Sequence, residues 1–303
     1  MKILITGAEG QVGSEFRVIA SKSNHCFVYA NKDLLDLRDE KQTFDLIQHV
    51  SPDLVINCAA YTAVDNAEEN SQAAFAINAK GAQFVGAACA SVDAALIHFS
   101  TDYVFSGDGD APFLEDDPSE PVSVYGKSKL AGEQLIASVL TKHIILRTAW
   151  VFGASGGNFA KTMLRLGTER DHISVVDDQQ GAPTSARGLA ECCLRIADKI
   201  ETQPNRICWG TYHFSGAPYV NWFQFAQAIF REAKKLGLIV VVPDLKAIRT
   251  EEFPTIVERP KNSKLNCSKI LREFGVLPDP WEGQLHSVLE EIRYIEAREK
   301  AAQ

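Results

Sequence analysis

The sequence lacks the patterns that mark a membrane protein, a secreted protein or a nucleic-acid-binding protein. No run approaches the ~20 apolar residues that a membrane span requires. The apolar run at residues 3–5 is too short for the hydrophobic segment of a secretory signal. The net charge is −8 and no basic stripe is visible, which argues against a nucleic-acid partner. We therefore expect a cytoplasmic protein that binds neither a membrane nor a nucleic acid.

Metal-ligand spacings are also missing. The seven histidines show no HxxxH or HxH spacing, so a catalytic zinc site is not expected. The seven cysteines are odd in number and scattered, and no CxxC pair occurs. We expect them to be small buried hydrophobic residues in a reducing compartment. They are Cys26, Cys58, Cys89, Cys192, Cys193, Cys208 and Cys267.

What the chain does contain is an alternation of strand-like and helix-like segments. With 303 residues, 46% hydrophobic and 23% charged, it can bury a large core as one large domain or two intimate ones. The strand-like runs lie at residues 2–5, 26–29, 54–57, 95–99 and 144–146, and the helix-like stretches between them at 40–49, 72–91 and 124–140. This alternation predicts an α/β fold with a Rossmann-type doubly wound parallel sheet.

The pattern changes after about residue 150. Glycine- and proline-rich loop signals cluster at residues 153–157, 181–183 and 254–260. Helices are predicted at residues 159–166, 186–199, 222–236 and 282–298, and a strand at 212–214 is expected to return to the main sheet. We therefore expect a dinucleotide-binding Rossmann domain over residues 1–150. Residues 151–303 would form mainly a smaller substrate-binding lobe that closes a cleft, with some segments returning to the Rossmann sheet.

Three glycines, Gly7, Gly10 and Gly13, follow the first predicted strand. Gly7 permits a tight turn, Gly10 lets the backbone approach phosphates, and Gly13 lets the next helix pack close to the strand. The start of that helix offers free N–H groups to an anion. The spacing is GxxGxxG rather than GxGxxG, so a glycine-rich turn without a ligand is the alternative. Its place directly after an apolar strand favours the pyrophosphate of a dinucleotide.

Two further clusters carry candidate catalytic groups. Tyr125 and Lys129 are four residues apart, which puts both side chains on one face of a helix. An ammonium beside a tyrosine favours the phenolate, so we expect the pKa of Tyr125 to fall and the phenol to act as a general acid. Ser100 and Thr101 follow the strand predicted at residues 95–99, where a hydroxyl can bind a substrate carbonyl. The alternatives are a solvated lysine at an exposed helix start and a strand-end serine or threonine that only caps a turn.

The three clusters, in this order, resemble the extended short-chain dehydrogenase/reductase superfamily. The resemblance narrows to the dTDP-4-dehydrorhamnose reductase family and covers nearly the full chain. It is carried by residues 7–13, 57–65, 100–105, 124–129, 147–151, 158–164, 178–184 and 259–263. It implies NAD(P)H-dependent reduction of the C4 ketone of dTDP-4-dehydro-L-rhamnose to dTDP-L-rhamnose, which supplies cell-surface polysaccharide.

The resemblance also implies roles for individual residues. Tyr125 would protonate the developing alkoxide, Lys129 would bind the nicotinamide ribose, and Thr101 would hydrogen-bond the carbonyl oxygen. Asp102 would orient the sugar, and Trp150 would touch the substrate unless it is a core aromatic residue. Dehydratases of the wider superfamily carry Asp-Glu after the threonine. Here Asp102 is followed by tyrosine, which disfavours dehydration and leaves simple reduction.

A second set of residues is expected to bind the cofactor. The resemblance implies that Gln11 and Val12 contact the pyrophosphate, and that Asp36 and Leu37 contact the adenine. It implies that Ala59, Ala60 and Tyr61 line the nicotinamide side. The other residues expected to bind the cofactor are Gly7, Gly10, Gly13, Tyr125 and Lys129. No carboxylate directly follows the second strand, where Ala30 precedes Asn31 and Lys32. Because Lys32 can pair with a 2′-phosphate, NADPH is favoured and NADH stays open.

Some members of this family dimerise around a magnesium ion held by glutamates. Glu15 and one of Glu290 or Glu291 are available here, but Arg187 stands at the middle position. A metal-bridged dimer is therefore not expected, while a homodimer of another kind stays open. Two rival functions also stay open. One is a non-catalytic subunit resembling the β subunit of methionine adenosyltransferase, and the other is a reductase or epimerase of a different nucleotide sugar.

Overall fold

A parallel six-stranded sheet forms the centre of the protein, whose computed structural model describes residues 1–278 and 280–302, with side chains up to Arg298. The strands are β1 (Lys2–Thr6), β2 (Cys26–Ala30), β3 (Leu54–Asn57), β4 (Ala95–Thr101), β5 (His143–Thr148), β6 (Val151–Phe152), β7 (His172–Val176), β8 (Gln180–Gly181), β9 (Thr184–Ser185), β10 (Gly210–His213), β11 (Val220–Asn221) and β12 (Asp244–Ile248). The main sheet has the order β2-β1-β3-β4-β5-β10. The strand order reverses between β1 and β3, as in a doubly wound fold. The predicted α/β sheet, including the late strand that returns to it, is confirmed.

Helices cover both faces of this sheet. They are α1 (Gln11–Ile19), α2 (Glu40–Val50), α3 (Val64–Glu69), α4 (Ser71–Phe75), α5 (Ala82–Ser91), α6 (Val124–Val139), α7 (Phe159–Glu169), α8 (Ala186–Thr202), α9 (Trp222–Lys235), α10 (Ser268–Phe274) and α11 (Trp281–Ala302). Ile3 and Ile5 of β1 face a core built with α1 and α8, whereas Leu4 faces a core built with α2, α5 and α6. Strands buried on both faces need apolar residues at every position, which explains the continuous apolar run at the start of the chain.

A second core lies among the later elements. Phe225, Ile229 and Trp281 pack there with residues of α7, β7 and α11. In contrast, α8, α10 and β10 pack with the main sheet. The division into residues 1–150 and 151–303 stays a prediction. No helix within residues 1–278 and 280–302 combines the length and hydrophobicity needed to cross a membrane.

The structure corrects several local predictions. The helix predicted at residues 72–91 is divided into α4, a π-helical segment (Ala76–Gly81) and α5. The parallel pair β7–β12 was not predicted, because these short strands are exposed along part of their length and lack a clear apolar pattern. Cys26 and Cys208 are exposed rather than buried, since they lie at the start of the edge strand β2 and in the loop before β10.

Candidate active site

The glycine turn after β1 is shaped by contacts that exclude side chains. Gly7 has φ +62, and a Cβ there would lie 2.7 Å from the backbone nitrogen of Ala59. A Cβ on Gly13 would lie 2.2 Å from the Gly7 carbonyl oxygen. Gly10 donates its N–H to that same oxygen at 3.0 Å and precedes α1. The turn therefore needs glycine at positions 7 and 13, and it leaves the start of α1 facing the carboxyl edge of the sheet.

A loop from the second half of the chain contacts this turn. The side-chain oxygen of Gln11 accepts a hydrogen bond from Asn158 Nδ2 at 3.1 Å. A Cβ on Gly156 would lie 2.8 Å from Gln11 Cγ. Val12, the next residue, is half-buried against the core beside α8. Sequence reasoning missed Asn158 as a neighbour of the turn, because its local pattern only marks the N-cap of α7.

The segment that follows β3 is held against the helix that carries the candidate acid. Ala59, Ala60 and Tyr61 are half-buried there. The Tyr61 backbone makes two hydrogen bonds to the side chain of Asn78, at 2.8 and 2.9 Å. Asn78 Nδ2 also lies 3.0 Å from Ser128 Oγ on α6. The π-helical segment thus presents Asn78 between two parts of the predicted cofactor site, as such segments often do at functional sites.

The predicted adenine end is more exposed. Lys32 is exposed after β2, whereas Leu37 is buried in the core with α2 and α5. Asp36 forms a bidentate ion pair with Arg38, at 2.9 and 2.6 Å, and this guanidinium holds the pKa of the carboxyl below its usual range. Arg38 is a cation beside the predicted site that sequence reasoning missed. The signal available in the sequence was its position directly after Asp36 and Leu37, the two residues predicted to contact the adenine.

Thr101, Asp102 and Tyr125 meet at the carboxyl end of β4. The Thr101 hydroxyl donates to Asp102 Oδ1 at 2.9 Å and accepts from the Tyr103 N–H at 3.2 Å. The Thr101 hydroxyl also lies beside the Tyr125 side chain and favours its ionised form, which opposes the effect of burial on the pKa of Tyr125. Thr101 therefore caps the turn and neighbours both Asp102 and Tyr125.

Burial governs the titration of these groups. It raises the pKa of Asp102 to about 6, although the nearby Ser263 and Thr101 hydroxyls act in the opposite direction. Asp102 Oδ2 has no hydrogen-bond partner among the described residues. Burial, and then the negative charge of Asp102, raise the pKa of Tyr125. The prediction that Lys129 lowers the pKa of Tyr125 is wrong for this structure, because the lysine amine is held elsewhere.

Lys129 is buried, with 2% of the residue exposed, so the alternative of a solvated lysine is wrong. Its Nζ donates to the Phe99 carbonyl oxygen at 2.6 Å and lies 3.2 Å from His98 Nε2. Burial lowers the pKa of Lys129 to about 8, although the negative charge of Glu133 opposes this. The helix spacing thus puts Tyr125 and Lys129 on α6 as predicted, with different polar partners.

Trp150 is held in an unusual conformation. Its φ is +51, and its ring stacks on Trp222 with 3.6 Å between centroids and an interplanar angle of 14°. A Cβ on Gly181 would lie 2.6 Å from the indole. A half-buried tryptophan with positive φ is a strained residue, and such strain is frequent at ligand sites. Trp222 was missed by sequence reasoning, because its pattern reads as the start of α9.

A cavity of about 260 Å³ opens beside Tyr103. Arg259 and Lys261 line it, together with the loop around Ser106. Arg259 is ion-paired with Asp65 at the start of α3. Arg259 and Lys261 can each bind a phosphate oxygen, although the carboxylates of Asp108 and Glu258 also line the cavity.

The residues at the metal position of the related family hold a different cation. The guanidinium of Arg187, on α8, is hydrogen-bonded to Glu15 of α1 and lies 3.2 Å from Glu291 Oε2 of α11. Glu15 is buried, which raises its pKa, and Arg187 opposes that shift. No group of three or more His, Cys, Asp or Glu side chains suited to a metal occurs in the part of the chain that the structure describes. A magnesium ion does not fit between two carboxylates already bridged by a guanidinium.

Arg187→Met is expected to lower the free energy of unfolding by ~1–3 kcal/mol, because it leaves the buried Glu15 carboxylate unpaired. Partial exposure of Arg187 keeps the loss below that of a fully buried pair. Urea unfolding measures the change. Arg165→Met removes the exposed Arg165–Glu169 pair and should cost at most ~0.5 kcal/mol. Equal losses in the two variants would contradict the bridging role of Arg187.

Comparison with known proteins gives the chain's family. Residues 1–294 match the family described as the RmlD substrate binding domain. A dTDP-4-dehydrorhamnose reductase of Aggregatibacter actinomycetemcomitans is 40% identical over 288 residues, which is 95% of this chain and 98% of that protein.

Two solved structures are also similar. That of a Clostridium acetobutylicum dTDP-4-dehydrorhamnose reductase has a TM-score of 0.88 and 37% identity, covering 97% of this chain and 100% of that one. That of the Bacillus anthracis enzyme in complex with NADP has a TM-score of 0.86 and 38% identity, covering 96% and 99%. The motifs at the carboxyl edge of the sheet and these full-length similarities agree, and the chain belongs to the dTDP-4-dehydrorhamnose reductase family.

Proposed function

We propose that this protein reduces the C4 ketone of dTDP-4-dehydro-L-rhamnose to dTDP-L-rhamnose with a nicotinamide cofactor, preferably NADPH. The observation that carries this proposal is the cluster of Tyr125, Thr101 and Asp102 at the carboxyl end of β4, on the edge of the sheet where the glycine turn after β1 also lies. Relatives of the same length and about 40% identity bear the name of this activity. The Bacillus anthracis enzyme, which is 38% identical to this chain, binds NADP in its crystal structure.

The chemistry divides between the cofactor and this chain's side chains. Bound NAD(P)H supplies the hydride that the substrate's C4 accepts. Tyr125 holds the proton that the C4 oxygen then takes, and its raised pKa keeps the phenol protonated through neutral pH. The Thr101 hydroxyl, which donates to Asp102 in this structure, would turn to donate to the same oxygen when substrate binds. Because the raised pKa also makes the phenol a weaker acid, the reaction needs Tyr125 to be positioned closely against the alkoxide that forms.

Residues around Tyr125 and Thr101 are proposed to recognise the substrate. Asp102, with one unpartnered carboxylate oxygen, accepts a sugar hydroxyl. Arg259 and Lys261 face the diphosphate, and the strained Trp150 gives the sugar or base an aromatic surface. The neighbour of Asp102 is Tyr103, whose ring packs edge-on against Tyr125 at 5.5 Å. A tyrosine there supplies no carboxylate base for water elimination, which favours reduction over dehydration.

A direct assay tests the function. The purified chain is incubated with NADPH and 4-keto sugars linked to dTDP, UDP or GDP, and the products are identified by mass spectrometry and NMR. We expect turnover with dTDP-4-dehydro-L-rhamnose and formation of the C4 alcohol. Faster turnover of a UDP- or GDP-linked sugar would favour the alternative that the protein is a reductase of a different nucleotide sugar. Tight cofactor binding without reduction of any ketone would favour the non-catalytic subunit.

Lys32→Ala is expected to reduce kcat/KM for NADPH about 5- to 10-fold and to leave that for NADH unchanged. The exposed ammonium can pair with the 2′-phosphate that only NADPH carries, and a screened contact of this kind is worth ~1 kcal/mol. Steady-state kinetics with both cofactors measure the effect. Lys22→Ala, an exposed lysine near the end of α1, serves as the control. Equal changes with both cofactors would assign the discrimination to another group, with Arg38 the nearest candidate.

A further inference from the structure

His98 is a buried residue of β4 that the roles above do not use. It is 1% exposed, and each ring nitrogen lies beside one polar side chain. Nδ1 is 2.9 Å from Asn57 Nδ2, on the neighbouring strand β3. Nε2 is 3.2 Å from the Nζ of Lys129, on α6. His98 therefore contacts the amine to which the family resemblance assigns the nicotinamide ribose.

The series of hydrogen bonds that leads to His98 has a fixed direction, because it begins at a group that can only donate. The Ala59 backbone N–H can only donate, and it donates to Asn57 Oδ1 at 3.2 Å. The Thr6 hydroxyl donates to the same oxygen at 2.6 Å. The amide nitrogen of Asn57 must then face His98, where it donates to Nδ1. A neutral imidazole that accepts at Nδ1 carries its hydrogen on Nε2.

This tautomer points an N–H at the lysine amine. Lys129 Nζ already donates to the Phe99 carbonyl oxygen at 2.6 Å. A charged ammonium has three hydrogens and no lone pair, so in that form two donors would face each other across 3.2 Å. A neutral amine has the lone pair that accepts from Nε2–H. The arrangement around His98 therefore suits the neutral form of Lys129.

The charged groups around Lys129 do not reverse this preference. Glu133, one turn further along α6, favours the ammonium, but it is bound by Arg147 of β5 at 2.7 Å. Burial lowers the pKa of Lys129 to about 8. Burial and the charge of Lys129 lower the pKa of His98, so the imidazole stays neutral and keeps a single hydrogen.

We propose that His98 is a positioning residue that donates its Nε2–H to Lys129, stabilises the neutral amine and so sets the charge that Lys129 presents at the cofactor site. Asn57 and Thr6 act behind it by fixing the tautomer. The effect on Lys129 does not depend on the substrate, whereas its consequence for catalysis rests on the proposed function.

The tautomer is tested first, in the unaltered protein. Two-bond ¹H–¹⁵N correlation spectra of ¹⁵N-histidine-labelled protein report which ring nitrogen carries hydrogen. The His98 signal is assigned by its loss in His98→Gln or, should that variant not fold, in His98→Phe. We expect hydrogen on Nε2, none on Nδ1, and no titration between pH 5 and 9. Hydrogen on Nδ1 would overturn the proposal.

The charge of Lys129 is tested by its own titration. Lysine labelled with ¹³C at Cε is followed by NMR from pH 6 to 11, with the Lys129 signal assigned by its loss in Lys129→Met. His98→Gln replaces the imidazole by an amide whose carbonyl oxygen can accept from the ammonium. We expect it to raise the Lys129 midpoint by about one pH unit or more. His143→Gln, on the neighbouring strand β5, should leave the midpoint unchanged.

An unchanged Lys129 midpoint in folded His98→Gln would overturn the proposal. Kinetic measurements then distinguish failure of the His98 proposal from failure of the proposed function. If ketone reduction is the activity, the alkaline limb of kcat/KM in His98→Gln should move with the NMR midpoint. A shifted midpoint in a protein that reduces no ketone would refute the proposed function and leave the action of His98 on Lys129 intact.

Discussion

Replacing Tyr125 by phenylalanine is expected to lower kcat by about 10²–10⁴-fold, because it removes the general acid of the proposed reaction. Cofactor affinity should change little, since the ring and its edge-on packing on Tyr103 are kept. Stopped-flow absorbance of NADPH measures the rate, and fluorescence titration measures the affinity.

The matched control is Tyr103→Phe. It removes a phenol from the same pair of rings and keeps Tyr125, so we expect less than about a tenfold decrease in kcat. Near-full activity in Tyr125→Phe would refute the assignment of the acid. Comparable losses in the two variants would mean that packing of the rings, rather than proton donation, accounts for the effect.

Gly13→Ala should weaken NADPH binding by about 10- to 100-fold and also destabilise the protein. The added Cβ would lie 2.2 Å from the Gly7 carbonyl oxygen, a backbone atom that can move only with the turn. Overpacking of this kind costs ~1–3 kcal/mol. Each 1.4 kcal/mol of that cost that falls on the cofactor-bound form raises the Kd for NADPH about tenfold. Isothermal calorimetry gives the affinity, and thermal unfolding gives the stability.

Gly283→Ala provides the comparison, because a Cβ there meets no atom within 4 Å and alanine favours its helix. It should keep both NADPH affinity and stability. Normal NADPH binding by Gly13→Ala would show that the turn does not seat the pyrophosphate.

Much of the fold could be predicted from the sequence because its strands and helices carry strong local patterns. The apolar runs of β1, β3 and β4 are read correctly, since strands covered on both faces need apolar residues throughout. The pair β7–β12 could not be read in this way, as half of its residues face solvent. The division of α4 from α5 was missed because a π-helical segment depends on what Asn78 binds, and those partners lie elsewhere in the chain.

The sequence by itself determined the order of the glycine turn, Thr101 and the Tyr125–Lys129 pair. These are features of local spacing, and the doubly wound topology brings them to one edge of the sheet. Only the tertiary structure decided how the groups titrate and what they pair with. Lys129 meets His98 and Phe99 rather than solvent, Arg187 bridges two glutamates more than a hundred residues away, and burial raises rather than lowers the pKa of Tyr125. Desolvation and long-range partners set these properties, and neither can be read from residue spacing.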